Sequence, residues 1–97
     1  MKYFIIEGII TNPELMNDET LKEHISYTNK EIEKGNILFT SLKSDNSGGM
    51  FMIKADSKEY VENYLSNEPL NNHGIQEYKI TEITPHYINL SAKEWFV

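Results

Sequence analysis

The sequence contains no cysteine, and this absence limits its chemistry. Without thiols the chain forms no disulfide, offers no cysteine nucleophile and builds no thiolate metal site. A chain free of disulfides suits a reducing compartment, and we expect a cytoplasmic protein.

Basic residues are also few in this chain. Nine Lys and Arg residues stand against fifteen Asp and Glu residues, which gives a formal net charge of -6 at pH 7. This charge repels a phosphate backbone and removes the electrostatic attraction that drives most nucleic-acid binding. We therefore expect no nucleic-acid partner.

Long apolar segments are missing as well. The opening residues, MKYFIIEGII, are interrupted by Glu7, whereas a signal peptide has an uninterrupted apolar centre. No segment approaches the roughly 20 apolar residues that a membrane helix needs. The sequence therefore predicts neither a secretion signal nor membrane association.

What the chain does contain is typical of a small globular protein. It has 97 residues, of which 39% are hydrophobic and 25% charged, a composition that indicates neither disorder nor a fibrous repeat. A chain of this length buries only about 60–70% of the surface that its unfolded form exposes. We expect one domain, spanning residues 1–97, with a thin core.

Apolar periodicity and turn residues predict four strands and two helices. The strands are expected at residues 2–10, 36–42, 48–55 and 75–83, and the helices at 18–34 and in the segment SKEYVENYLS. The resulting order, β-α-β-β-α-β, is that of the ferredoxin-like fold. We therefore predict an α+β fold with a four-stranded antiparallel sheet and both helices on one face.

Several residues predict where the helices begin and end. Asn17 or Asp18 is suited to cap the first helix. Asp56, followed three residues later by Glu59, resembles a capping box at the start of the second. Pro69 is expected to end the second helix region, because the residue before a proline is pushed toward extended geometry.

The first helix carries a candidate buried stripe. Its members recur at helical spacing and are Leu21, Ile25, Thr28 and Ile32. With this stripe facing the core, His24 lies at its edge, one turn before Thr28.

The first and third strands are apolar on both faces. Tyr3, Ile5 and Ile9 point one way and Phe4, Ile6 and Ile10 the other, while Met50 and Met52 oppose Phe51 and Ile53. An antiparallel sheet with one wet face alternates between apolar and polar residues instead. The economical cover for the second face is another copy of the sheet, so we predict a homodimer through the open sheet face. Trp95 and Phe96 either contribute to this interface or dock within their own subunit.

His24 and Glu68 are the main candidates for chemistry. Histidine suits proton transfer near neutral pH, and an acidic neighbour holds its tautomer. A carboxylate directly before Pro69 has few backbone choices, so its direction is well defined. The two side chains form an acid–base pair if the loop after the second helix folds against the first; otherwise both are surface groups.

Over nearly its full length the chain resembles the YciI-like (YCII-related) family of the dimeric α+β barrel superfamily. The resemblance rests on the order and spacing of the opening KYFIIEG, the helix LKEHISYTNKEIEKGNIL, the hairpin SLKSDNSGGMFMIKADSKEYVENYL and the step NEPLNNHGIQEYKITEI. Members typically carry a His on the first helix and an Asp before Pro, taken as an active-site pair. The resemblance implies that His24 matches the histidine and that Glu68 stands where the aspartate is usual.

The chain also departs from the family pattern. Glu68 is one methylene longer than Asp, and Ser41-Leu42 stand where many members have Gly-Pro after the second strand. We expect Tyr27, near His24, and Ser41 to line the pocket and to supply hydrogen bonds to a small ligand.

No metal or cofactor is expected. His73 and His86 are thirteen positions apart and lack the close-spaced partner that zinc sites use.

Three functions remain open at this point. The first is a cofactor-independent enzyme in which His24 acts as general acid or base on a small metabolite and Glu68 orients it. The second is a non-catalytic dimer whose cleft binds a small molecule. The third is a structural dimer in which both residues are surface groups. The enzyme is favoured, and the reaction and substrate are left undefined.

Overall fold

The computed structural model describes residues 1–96 and contains one four-stranded antiparallel sheet. Its elements are β1 (Lys2–Ile10), α1 (Asp18–Glu33), β2 (Ile37–Leu42), β3 (Gly49–Ala55), α2 (Lys58–Ser66), the short helix α3 (Pro69–Asn72) and β4 (Gln76–Ile83). Single 3-10 turns lie at Pro13–Leu15 and Ala92–Glu94. The strand order is β2-β3-β1-β4. The predicted α+β ferredoxin-like fold is confirmed.

Strand β1 runs through the middle of the sheet and pairs antiparallel with both β3 and β4. Ile6, for example, lies between Phe51 on one side and Ile80 on the other. Successive side chains of a strand point to opposite faces, and in the middle of β1 burial alternates, with Phe4 and Ile6 buried between half-buried neighbours. These residues pack with α2 in the core, which comprises Phe4, Ile6, Ile37, Ile53, Ala55, Val61, Tyr64 and Leu65.

The opposite side of the sheet, here called the open face, also carries apolar side chains. By strand register it includes Tyr3, Ile5, Ile9, Phe39, Met50 and Met52. Ile9 and Met50 are 41% and 40% exposed. The prediction that β1 and β3 are apolar on both faces therefore holds in three dimensions.

The helix caps match the sequence only in part. Asn17 caps α1, and its side chain accepts a hydrogen bond from the Thr20 N–H at 2.9 Å. The predicted capping box at Asp56 is wrong, because Ser57 caps α2 and accepts from the Tyr60 N–H at 3.1 Å. Serine and aspartate are both good N-caps, so two adjacent candidates left the choice to the path of the chain.

The predicted buried stripe of α1 is wrong for three of its four residues, and only Thr28 faces inward. Leu21, Ile25 and Ile32 are 40%, 50% and 38% exposed. The residues that face inward are instead mostly polar and recur every three or four positions: Thr20, His24, Tyr27, Thr28 and Glu31. Polar groups tolerate burial when their hydrogen bonds are made, and the partners that satisfy this face come from α2, α3 and the loop before β2.

Pro69 does not simply end a helix. The second helix stops at Ser66, and Pro69 is the first residue of the separate helix α3. The expectation for the preceding residue is confirmed, since Glu68 is extended with φ -71° and ψ 130°. Proline is favoured at the first helical position because its missing N–H has no partner there and its φ is already set.

The segment after β4 leaves several large apolar side chains in solvent. The ring of Phe96 lies 5.2 Å from that of Phe39, at the open face of the same chain. Even so, Trp95 and Phe96 are 70% and 69% exposed, and Leu90 is 97% exposed. Val97, which follows Phe96 in the sequence, lies outside the described residues. No helix within residues 1–96 is long and apolar enough to cross a membrane.

Candidate functional site

A cavity of about 280 Å³ opens between α1 and the helix-facing side of the sheet. Its walls come from α1, the C-terminal end of β1, the β2–β3 hairpin, the turn at Glu68 and the beginning of β4. Met16, Leu21, Phe51 and Leu70 make much of the wall apolar. Ligand pockets commonly measure roughly 300–1,000 Å³, so this cavity is sized for a small molecule.

Two glycines shape the hairpin wall of this cavity. Gly48 has φ +148°, and a Cβ there would lie 1.9 Å from the carbonyl oxygen of Gly8. The close approach lets the hairpin fold against the end of β1, where the Ile10 N–H donates to the Ser47 carbonyl at 2.9 Å. Only glycine adopts this backbone conformation readily and leaves room for the neighbouring chain.

His24 and Glu68 form a hydrogen-bonded pair at the wall of the cavity. Nδ1 of His24 contacts Oε1 of Glu68, although the two residues are 44 positions apart in the chain. The carboxylate side chain is 3% exposed, and the imidazole is 28% exposed. The geometry therefore joins a buried acid to a histidine that reaches the cavity.

Glu68 has two further donors on its other oxygen. As the N-cap of α3, Oε2 accepts from the Leu70 N–H at 3.0 Å. The Tyr78 hydroxyl, on β4, also lies 2.5 Å from Oε2. Three donors thus converge on one buried carboxylate, which is how a buried acidic group is normally satisfied. Glu68 therefore caps the start of α3 and also supplies the carboxylate that pairs with His24.

The directions of these hydrogen bonds follow from groups that can only donate. The Gln76 amide Nε2 donates to the Tyr78 oxygen at 2.8 Å, so the phenol proton is available to Glu68. The Leu70 N–H is also an obligatory donor. With Oε2 occupied, Oε1 accepts from His24, and the neutral imidazole carries its proton on Nδ1. Nε2 then holds the lone pair that a general base needs.

Burial and negative charge keep the nearby phenols protonated. Desolvation raises the pKa of Tyr78 well above its usual range, and the charge of Glu68 raises it further. Desolvation likewise raises the pKa of Tyr64, whose ring also lines the cavity. Both side chains are therefore hydrogen-bond donors, rather than phenolates, at neutral pH.

The two other predicted site residues have hydroxyls that are already bonded to main-chain carbonyls. Tyr27 donates to the Tyr64 carbonyl at 2.7 Å, and the two rings stack with centroids 4.7 Å apart. Burial raises the pKa of Tyr27 to about 12. Ser41 borders the cavity, but its Oγ donates to the Met50 carbonyl at 2.8 Å. Direct contact of either hydroxyl with a ligand stays a prediction.

Sequence reasoning missed Tyr78 and Gln76. Both lie on the helix-facing side of β4, where Gln76 is buried and Tyr78 half-buried. The signal that marks them is a pair of hydrogen-bonding residues at alternate positions of a strand whose next inward residue, Ile80, is apolar. Such residues need partners inside the fold.

Within residues 1–96, no group of three or more His, Cys, Asp or Glu side chains is arranged to hold a metal ion. His73 lies at the end of α3, with its Nε2 3.4 Å from a carboxylate oxygen of Glu23. Both side chains of this pair are about half exposed.

No protein-family model and no curated protein matches this sequence. Several solved structures are similar in fold, and two of them are described here. One is 5-chloro-2-hydroxyhydroquinone dehydrochlorinase from Burkholderia phenoliruptrix in complex with 2,5-dihydroxybenzoquinone, with a TM-score of 0.69, 16% identity and coverage of 88% of this chain and 94% of that one. The other is an antibiotic biosynthesis monooxygenase, with a TM-score of 0.58, 10% identity and coverage of 90% and 100%. At these identities the likeness concerns the fold alone, and it agrees with the α+β ferredoxin-like fold described above.

Proposed function

We propose that this protein is a small cofactor-independent enzyme of the YciI-like type, in which His24 and Glu68 perform acid–base chemistry on a small metabolite. The observation that carries the proposal is the hydrogen bond between His24 Nδ1 and the buried Glu68, at the wall of a cavity. A histidine oriented by a carboxylate is a common general acid–base arrangement.

In this mechanism Nε2 of His24 removes a proton from the substrate. Glu68 stabilises the imidazolium that results, because its carboxylate already accepts the Nδ1 proton. Returning the proton to a different substrate atom gives an isomerisation. Losing a leaving group with its bonding electrons, and releasing the proton to solvent, gives an elimination. Neither step needs a cofactor.

The cavity favours small, mainly apolar substrates with an acidic hydroxyl or C–H group. Its volume of about 280 Å³ suits a single ring, and Phe51, Leu21 and Leu70 supply apolar contacts. The chain contains no arginine, and no lysine is among the described residues that line the cavity. A phosphate or similar anion therefore has no fixed cationic partner there.

The fold neighbours support a substrate of this type. One of them is named as a dehydrochlorinase of a hydroxylated, chlorinated ring and was solved with a dihydroxybenzoquinone. Removal of HCl from such a ring requires a proton acceptor, and His24 is the group we assign to that task here. Hydroxylated aromatic or quinone-like compounds are accordingly the first substrates to test.

We also propose that the chain belongs to the YciI-like family and that it forms a homodimer. Glu68 takes the place of the family aspartate, and its length allows it to cap α3 while reaching His24. Pairing through the open face would bury Ile5, Met52 and neighbouring apolar side chains. A homodimer is the assembly that this face supports.

A ligand-binding module without turnover is the second candidate. It is favoured by the combination of apolar walls, such as Phe51 and Leu70, with polar groups that face the same cavity, which is the usual composition of a binding pocket. In that case His24 is a polar anchor and moves no proton.

The test is a screen of hydroxylated benzoquinones and chlorinated hydroquinones, followed by absorbance and by proton–deuterium exchange. We expect His24→Gln to lower the rate by about 10²–10⁴-fold. His73→Gln is the matched control, since it removes the exposed His73–Glu23 pair outside the cavity and should leave the rate unchanged. Binding without turnover, with affinity kept in His24→Asn, would favour the binding module. If no compound is bound and none is turned over, both functions are contradicted.

A further inference from the structure

Tyr78 and His24 bind different oxygens of the Glu68 carboxylate. Its hydroxyl lies 2.5 Å from Oε2 of Glu68, while His24 Nδ1 contacts Oε1. The phenol and the imidazole thus bind the two different oxygens of one buried carboxylate. A terminal carboxylate torsion has a broad, roughly two-fold energy profile, so bonds to both oxygens are what determine its orientation.

The position of Tyr78 is itself constrained by Gln76. The amide Nε2 of Gln76 donates to the phenol oxygen at 2.8 Å, which leaves the phenol proton for Glu68. The amide lies directly over Gly8, where an added Cβ would stand 2.9 Å from its Cδ and Nε2 atoms. A residue larger than glycine on β1 would displace the amide. The chain of hydrogen bonds from Gln76 to His24 therefore depends on close packing between β1 and β4.

The phenol is suited to this task because it keeps its proton. Tyr78 is half-buried, and burial next to the Glu68 charge raises its pKa far above neutral. It remains a donor across the pH range in which histidine titrates. A carboxylate or a second imidazole at this position would not donate so uniformly.

We propose that Tyr78 is a positioning residue for the His24–Glu68 pair. Its hydroxyl, oriented by Gln76, holds the Glu68 carboxylate so that Oε1 faces His24 Nδ1, which keeps the Nδ1–H tautomer and leaves Nε2 unprotonated. The inference rests on the proposed function only in treating Nε2 as the reactive atom, because the tautomer can be measured without a substrate.

The consequence of removing the hydroxyl is specific. In Tyr78→Phe the ring remains, and Oε2 keeps only the Leu70 N–H. The carboxylate then samples other orientations, and the Nδ1–H tautomer of His24 loses part of its preference. We expect a several-fold rise in the Nε2–H population of neutral His24. In a turnover assay, kcat should fall while KM stays nearly unchanged, because the ring that lines the cavity remains and the hydroxyl that is lost is bonded to Glu68.

The test is imidazole ¹⁵N NMR of the full chain at about pH 9, where an ordinary imidazole is neutral. Tyr60→Phe is the matched control: the Tyr60 hydroxyl also donates to a buried carboxylate of α1, Glu31, at 2.8 Å, but has no link to His24. The double variant Tyr78→Phe/Glu68→Gln tests the route, since Tyr78→Phe should have no further effect once the carboxylate is gone.

A shift of the tautomer in Tyr78→Phe alone supports the proposal. An unchanged His24 spectrum in Tyr78→Phe overturns it, and so does an equal shift in Tyr60→Phe, which would indicate general loosening. If Tyr78→Phe fails to fold, Gln76→Met removes the bond that orients the phenol and should shift the tautomer in the same direction; no shift there also overturns the proposal. A wild-type protein that turns over nothing would contradict the proposed function but would leave the tautomer result standing.

Discussion

Glu31 and Glu68 are two carboxylates buried beside the helices, and each accepts a hydrogen bond from a tyrosine hydroxyl. Glu31 accepts hydrogen bonds from the Tyr60 hydroxyl and the Asn36 amide, which join α1 to α2 and to the loop before β2. Glu68 accepts a hydrogen bond from the Tyr78 hydroxyl and, in addition, one from His24 at the cavity. The same local chemistry thus serves packing at one position, whereas at the other it includes a group that can transfer a proton.

The first prediction concerns the stability provided by Glu68. Glutamine has one acceptor oxygen, so the amide nitrogen of Glu68→Gln must face one of the donors that now bind the carboxylate. We expect a loss of about 1–3 kcal/mol in the free energy of unfolding, the usual cost of an unsatisfied buried polar group. Urea unfolding measures it, with the exposed Glu62→Gln on α2 as control. Equal stability of the two variants would contradict the buried network.

The second prediction concerns the hairpin wall. An alanine at Gly48 would place its Cβ 1.9 Å from the Gly8 carbonyl oxygen, in addition to the backbone strain of φ +148°. Gly74 has φ +72° and open space around its Cβ position, so Gly74→Ala carries strain alone. Left-handed strain costs about 1–2 kcal/mol. We expect Gly48→Ala to be clearly the less stable variant in thermal unfolding, and the reverse order would refute the close approach.

The third prediction concerns alkaline pH. Burial raises the pKa of Tyr27 from 10.0 in the unfolded reference to about 12 in the folded protein. A raised folded-state pKa leaves stability intact below about pH 10 and removes it as the pH rises toward about 12, because the unfolded chain loses its proton first. Urea unfolding midpoints should fall across this interval, and less steeply in Tyr27→Phe. A wild-type midpoint that stays constant up to about pH 11 would contradict the burial of the Tyr27 phenol.

The fourth prediction concerns the open face. Ile5 lies between Met52 and Thr81 on that face, so a charge at Ile5→Lys should prevent two sheets from meeting. Ile25→Lys is the control, because Ile25 is 50% exposed on α1, away from the open face. Sedimentation equilibrium should give twice the 11.3 kDa chain mass for wild type and Ile25→Lys, and the single mass for Ile5→Lys. A wild-type monomer at micromolar concentration would refute the dimer.

The strand pattern was readable from the sequence because it depends on neighbours along the chain. The predicted bounds of the first strand, 2–10, match β1, and the hairpin and final strand differ by a residue at one end. Apolar and β-branched residues with turn formers at their ends specify such elements locally. The open-face pattern follows from the same alternation, since side chains of a strand point to opposite faces.

The inward face of α1 was not readable in the same way. Helical spacing of Leu21 and Ile25 predicted burial, but the structure buries Thr20 and Glu31 instead. A periodicity argument ranks faces by apolarity. It does not register that Glu31 meets Tyr60 and Asn36, whose hydrogen bonds offset the cost of burying the carboxylate.

The sequence by itself determined the order of the four strands and the two longer helices, the apolar character of both sheet faces and the absence of thiol chemistry. Residue chemistry and a resemblance to the YciI-like family together pointed to His24 and Glu68 as candidates. Only the tertiary structure decided that these two side chains meet, that Glu68 caps α3, and that Tyr78 holds its second oxygen. The physical reason is that a hydrogen bond depends on distance and direction, and partners 44 positions apart acquire both only when the helices and β4 pack together.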